Sequence, residues 1–131
     1  MKLVTAAILV KDKKILIAKR PADDKLAGNW EFPGGTIKDD EIQKECLKRE
    51  MHEEFGIDVE VGTFFDSSIY EYDHGEIILL AYWVKWLSGD IELKAHSEIA
   101  WVTPAEMRNY DFAPADIPFV LKLQAEFPGG L

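Results

Sequence analysis

The chain has 131 residues, 47% of them apolar, with fifteen Lys and Arg against 24 Asp and Glu and a net charge of −9. That length and apolar share suit one soluble globular domain, residues 1–131, and no run of apolar residues is long enough to span a bilayer as a helix. The acidic balance disfavours nucleic-acid polymers and anionic membranes as partners, and admits a small anion only where cations gather at its site.

Residues 3–10 and 14–20 are rich in Ile, Val and Leu on either side of Lys11-Asp12-Lys13, which predicts a hairpin. The first of these stretches lacks a basic leader and a small-residue cleavage site, so a secretion signal is not expected and the cytoplasm is the expected compartment. A polar loop over 21–29 leads to the short apolar segment Trp30-Glu31-Phe32, which Pro33-Gly34-Gly35 is expected to end. Residues 39–55 are rich in Glu, Lys, Gln, Leu and Arg and predict a helix, with Asp39 or Asp40 as its N-cap and Gly56 at its C-terminal cap. Within it, the lone Cys46 has no disulfide partner and reads as a small buried apolar side chain.

Strands over 59–65, 68–72 and 76–86 follow, with turns at Asp73-His74-Gly75 and Ser88-Gly89. Thr103-Pro-Ala-Glu106 has the form of a capping box with proline at the first helical position, opening a short helix toward Tyr110. A last helix is predicted from Asp116 or Ile117 to Phe127, and residues 128–131 are expected to fray. These elements make a mixed α+β fold on one principal sheet.

The chemistry concentrates on the central helix. At about 100° per residue, Glu50, Glu53 and Glu54 fall within one arc of roughly 100°. Like charges at this spacing repel, and the C-terminal end of a helix carries the negative pole of its dipole, so the cluster breaks two local rules at once. A solvated acidic face is the ordinary explanation of a charge run. Beside glycines and apolar strands at a helix end, the cluster points instead to a divalent-cation site. Oxygen donors without histidine or a cysteine pair favour Mg²⁺, with Mn²⁺ as a substitute, over zinc. Magnesium keeps water and recruits substrate phosphates, which gives an acidic chain its means of holding an anion.

Read as one string, Gly35, Glu41, Arg49-Glu50, the apolar Met51, Glu53-Glu54, Gly56 and the apolar Ile57 have the spacing of the Nudix hydrolase signature, which this sequence resembles over residues 35–57. Seven specified identities recur by accident on the order of 10⁻⁸ per starting position. Outside that box, Ile17-Ala-Lys-Arg20, Trp30-Glu-Phe-Pro-Gly-Gly35 and Ala113-Pro-Ala-Asp116-Ile-Pro118 are similar to the MutT and CTP pyrophosphohydrolase branch of the family. The resemblance implies an α/β/α sandwich around a mixed sheet, and a monomer or homodimer acting on a small nucleotide. The implied reaction is NTP and water giving NMP and pyrophosphate, with 8-oxo-dGTP or CTP-type substrates foremost. Hydrolysis of another nucleoside diphosphate derivative such as ADP-ribose, or nucleotide sensing without catalysis, are the alternatives.

Position by position, the resemblance implies that Glu50, Glu53, Glu54 and the carbonyl of Gly34 hold metal, with Glu53 activating the attacking water. Arg49 would organise the helix by pairing with Glu41, although an i,i+4 pair with Glu45 is equally open. Arg20 matches an arginine that contacts phosphate or base, against the alternative of an ordinary exposed strand end. Phe32 and Tyr72 match aromatic positions that sandwich a base, against core packing. Asp116 matches a position that reads the base edge, and it would equally serve as N-cap of the last helix. One departure stands out. Relatives place a glutamate immediately before a histidine in the loop leading to Trp101, where this chain has Ala95-His96-Ser97-Glu98. Glu98 or His96 would stand in for it, or the helix glutamates would suffice; Ala95 is the residue that speaks for a sensor.

Overall fold

The computed structural model describes residues Met1–Leu131. Strands β1 (Lys2–Lys11) and β2 (Lys14–Lys19) are joined through Asp12 and Lys13, whose φ of 52° and 66° are the left-handed pair that a two-residue hairpin turn needs. Only Val10 with Ile15 and Lys11 with Lys14 pair directly. Beyond them the strands diverge. β1 runs parallel to β6 (Gly75–Ser88) and antiparallel to β4 (Gly34–Thr36), whereas β2 pairs with β3 (Trp30–Glu31) and β7 (Glu98–Val102). β5 (Asp58–Tyr72) closes the outer edge against β6, completing a seven-stranded mixed sheet.

Both faces of this sheet are covered, which is why β1 buries Ala6, Ala7, Ile8 and Leu9 in an unbroken apolar run instead of alternating with polar residues. Ala6 and Ile8 join Phe119, Val120 and Leu123 of α2 (Ile117–Glu126). Ala7 and Leu9 join Leu47, Met51 and Phe55 of α1 (Gln43–Phe55) on the other side. The layers are therefore an α/β/α sandwich. Each fully buried Leu, Met or Phe contributes about 1.5–3 kcal/mol, so the three anchors of α1 outweigh repulsions of a few tenths of a kcal/mol among its glutamates. No helix is long and apolar enough to cross a membrane.

Several expectations need correcting. The central helix begins at Gln43 with Ile42 as N-cap and no side-chain cap, so neither Asp39 nor Asp40 caps it. Asp40 sits at φ 63°, and the segment before the helix is held as a loop: Ile37 N–H bonds Leu3 O, and the Glu41 carboxylate accepts Lys38 N–H. Gly56 does form the left-handed C-cap, at φ 71° with its N–H on His52 O. The short strand β3 does end before Pro33, and Pro33-Gly34-Gly35 then carries the chain from the β2 side to β1. A Cβ on Gly34 would stand 1.9 Å from Thr5 O, so the crossing requires glycine. Residues 59–65 and 68–72 belong to the single strand β5, broken by bulges. Strand β7 was not anticipated. The capping box closes reciprocally, Thr103 N–H to Glu106 Oε1 at 2.9 Å and Glu106 N–H to Thr103 Oγ1 at 3.3 Å, but it opens a 3-10 helix, Ala105–Asn109. At the tail, Gly130 N–H bonds Phe127 O and Leu131 packs half-buried against the α2-side cluster.

Candidate active site

A cleft of about 660 Å³ opens beside the C-terminal half of α1, between the β3–β4 crossing, the 20–26 loop, the β5–β6 turn and the segment entering α2. On the α1 side Arg49 is the hub. Its Nε and Nη2 grip Glu41 at 2.7 and 2.9 Å, and its Nη1 reaches Glu50 at 2.8 Å and Glu53 at 3.1 Å. The hydrogen bonds from Arg49, then that from Lys38 N–H, hold the Glu41 carboxyl down at about 2. Glu45, the other partner open to Arg49, lies instead 3.6 Å from Lys48.

The three helix carboxylates have different surroundings. Glu50 rests against Gly35, where a Cβ would come within 2.2 Å of the Glu50 carboxyl carbon. Glu53 is not among the residues lining the cleft; its side chain is 52% exposed and paired only with Arg49. Glu54 turns inward, and its Oε1 is buried without any partner. Burial above all, then the charges of Glu31 and Glu50, push the Glu54 carboxyl up to about 9. No three acidic, His or Cys side chains yet converge on one point, because Arg49 draws Glu50 and Glu53 aside. A divalent cation fits this set: it would give the orphaned Glu54 oxygen a partner, and the donors facing the cleft are hard oxygens from Glu50, Glu54 and the adjacent backbone of Gly34.

Across the cleft, Arg20 is no bare strand end. Asp24 takes its Nε and Nη2 at 2.7 and 2.9 Å, and Glu31 takes Nη1 at 2.6 Å. Burial works against the guanidinium charge, but these carboxylates outweigh it and raise the pKa. The other Glu31 oxygen lies 2.7 Å from His96 Nε2. The His96 ring stacks on Phe55 at 5.3 Å and 8°, with Nδ1 buried and unpartnered. His96 thus faces the cleft, whereas Glu98 is exposed at the start of β7 opposite Lys19 and does not line it. Glu98 is therefore not placed to replace the carboxylate absent at Ala95.

Asp116 is 4% exposed, and its Oδ1 accepts Phe32 N–H at 3.0 Å while making no cap bond to α2. Burial, then the charge of Glu31, raises its pKa well above the carboxylate range. Tyr72 OH accepts Ala115 N–H at 3.0 Å, and the ring lies parallel to His74 at 5.0 Å. Phe32 is 3% exposed and packs on Phe112 and Phe119, as core packing requires, while it and Tyr72 both line the cleft. The aromatic surface at the cleft mouth is Tyr72 with His74. For Glu31 the sequence signal is a charged residue between two aromatics, Trp30 and Phe32; Asp24, one of several charges in the 21–29 loop, carries none.

The family model for the NUDIX domain matches residues 4–122. The chain is 42% identical over 117 residues to the CTP pyrophosphohydrolase of Escherichia coli strain K12, covering 89% of this chain and 87% of that protein. It is 29% identical over 124 residues to the 8-oxo-dGTP diphosphatase of the same strain, covering 95% and 96%. Among solved structures, the solution structure of the E. coli ORF135 protein superposes with a TM-score of 0.85 at 41% identity, covering 95% of this chain and 89% of that one.

Proposed function

The chain belongs to the NUDIX domain family of hydrolases, and on that premise we propose that it is a Mg²⁺-dependent nucleoside triphosphate pyrophosphohydrolase, converting NTP and water into NMP and pyrophosphate. The observation that carries this reading is the Glu54 carboxyl, buried with an orphaned oxygen beside Glu50 at one end of a nucleotide-sized cleft. The relatives' names put cytidine triphosphate and 8-oxo-dGTP foremost as substrates.

Glu50, Glu54 and the Gly34 carbonyl would hold the cation, with Glu53 completing the set or working beside it. When bound, a divalent cation neutralises phosphate charge and makes water a better nucleophile, which a phosphoanhydride needs. Glu53, half-exposed and next to Glu54 on the same helix, would take the proton of the attacking water. The bidentate Glu41–Arg49 pair fixes the end of the helix that presents these groups. Asp116 and the Tyr72–His74 surface receive the base at the other end, and Arg20 holds Asp24 and Glu31 in place beside them.

The test is a panel of CTP, 8-oxo-dGTP, other triphosphates and ADP-ribose, each with Mg²⁺ and with chelator. Pyrophosphate release from triphosphates that needs Mg²⁺ is expected. Orthophosphate as first product, or nucleotide binding without turnover, would reject the reading, the latter in favour of a sensor.

A further inference from the structure

A nucleotide bound with its phosphates at Glu50 and Glu54 and its base at Asp116 would carry its sugar between them, and Glu31 is a further carboxylate lining the same cleft, one residue before the Phe32 that holds Asp116. Glu31 is the foremost of the charged groups opposing ionisation of both Glu54 and Asp116. Its side chain is 15% exposed and lines the cleft. Each oxygen has one protein partner, Arg20 Nη1 at 2.6 Å and His96 Nε2 at 2.7 Å. A carboxylate offers about four acceptor sites, so each oxygen retains one. The His96 ring is pinned on Phe55 and Arg20 is forked by Asp24, so the carboxylate is held still in advance. Phosphate oxygens and base carbonyls would be repelled at this place, so only donors suit it: a sugar hydroxyl, or the amino group or ring N–H of a base, for which the base end of the cleft already supplies Asp116.

We propose that Glu31 reads the sugar, accepting a hydrogen bond from a ribose hydroxyl of the substrate, with Arg20 and His96 as its positioning residues. This rests on the nucleotide-hydrolase reading. A carboxylate held between two cationic or hydrogen-bonding anchors makes a charge-assisted bond that a substrate lacking the hydroxyl forfeits, leaving the carboxylate under-solvated.

The test takes the base turned over fastest and compares kcat/KM for its ribonucleoside, 2′-deoxy and 3′-deoxy triphosphates, alongside calorimetric Kd values for CMP, 2′-dCMP and 3′-dCMP. In the wild type, deleting one of the two hydroxyls is expected to cost roughly tenfold or more in both measurements. Glu31→Ala should bring that penalty below about twofold, and Glu31→Gln, which keeps shape and one acceptor, should shrink it severalfold. Because each ratio is internal to one protein, a general loss of activity cancels, and Glu31→Gln carries the test should the alanine variant not fold. A wild type indifferent to both deletions, or a penalty unchanged in the variants, overturns the proposal. Failure of the wild type to release pyrophosphate would overturn the reading beneath it, and the monophosphate affinities tell the two failures apart.

Discussion

Replacing Glu54 by glutamine removes a carboxyl that folding buries at a loss. Its native pKa of about 9 lies far above the ordinary 4.5, so the folded protein binds more protons than the unfolded chain across that interval. Stability of the metal-free protein therefore falls as pH rises from the lower value and levels off above the higher one. A whole proton corresponds to about 1.4 kcal/mol per pH unit, or an upper limit of about 4 kcal/mol between pH 5 and 8. Burial is the larger cause of the shift, and water in the open cleft screens the charge, so a loss of about 2 kcal/mol, half that limit, is expected. Denaturant unfolding in chelator across this pH range measures it. Wild type should show the slope, and Glu54→Gln should lack that part of it. Mg²⁺ at a hundredfold over its Kd should restore about 2.7 kcal/mol to the wild type at pH 8 and far less to the variant. Equal pH slopes in the two proteins, or equal stabilisation of both by Mg²⁺, would refute the reasoning.

The adjacent glycines should separate fold from function. Gly34→Ala drives a methyl to 1.9 Å from the backbone oxygen of Thr5 and should cost several kcal/mol of stability, whereas Gly35→Ala meets only the movable Glu50 carboxyl and should spare the melting temperature while cutting turnover at least tenfold. Equal melting losses would contradict this. Glu53→Gln, at a half-exposed position, should leave the melting temperature unchanged and lower kcat by about a hundredfold or more; near-normal turnover would remove Glu53 from the role of base. Asp116→Asn keeps an oxygen for Phe32 N–H and should fold, but should change the ranking of guanine against cytosine substrates in the same hydrolysis panel. An unchanged ranking would show that Asp116 does not face the base.

What sequence alone determined was local. The hairpin around Asp12-Lys13, the reciprocal capping box, the Gly56 cap and the arc of Glu50, Glu53 and Glu54 each depend on residues a few positions apart, where spacing and backbone preference dictate geometry. The start of α1 was misjudged because Glu41, helix-forming by preference, is taken by Arg49 eight positions on. Strand β7 was missed because its five residues gain their hydrogen bonds only from the distant β2. The pairing of Glu31 with His96 spans 65 positions and that of Phe32 with Asp116 spans 84, separations at which no periodicity survives. Only the closed sheet brings those partners together. Burial there, not residue type, turned Asp116 from a helix cap into a buried carboxyl of the cleft, packed Phe32 against Phe112 and Phe119, and made Glu31 part of the cleft lining.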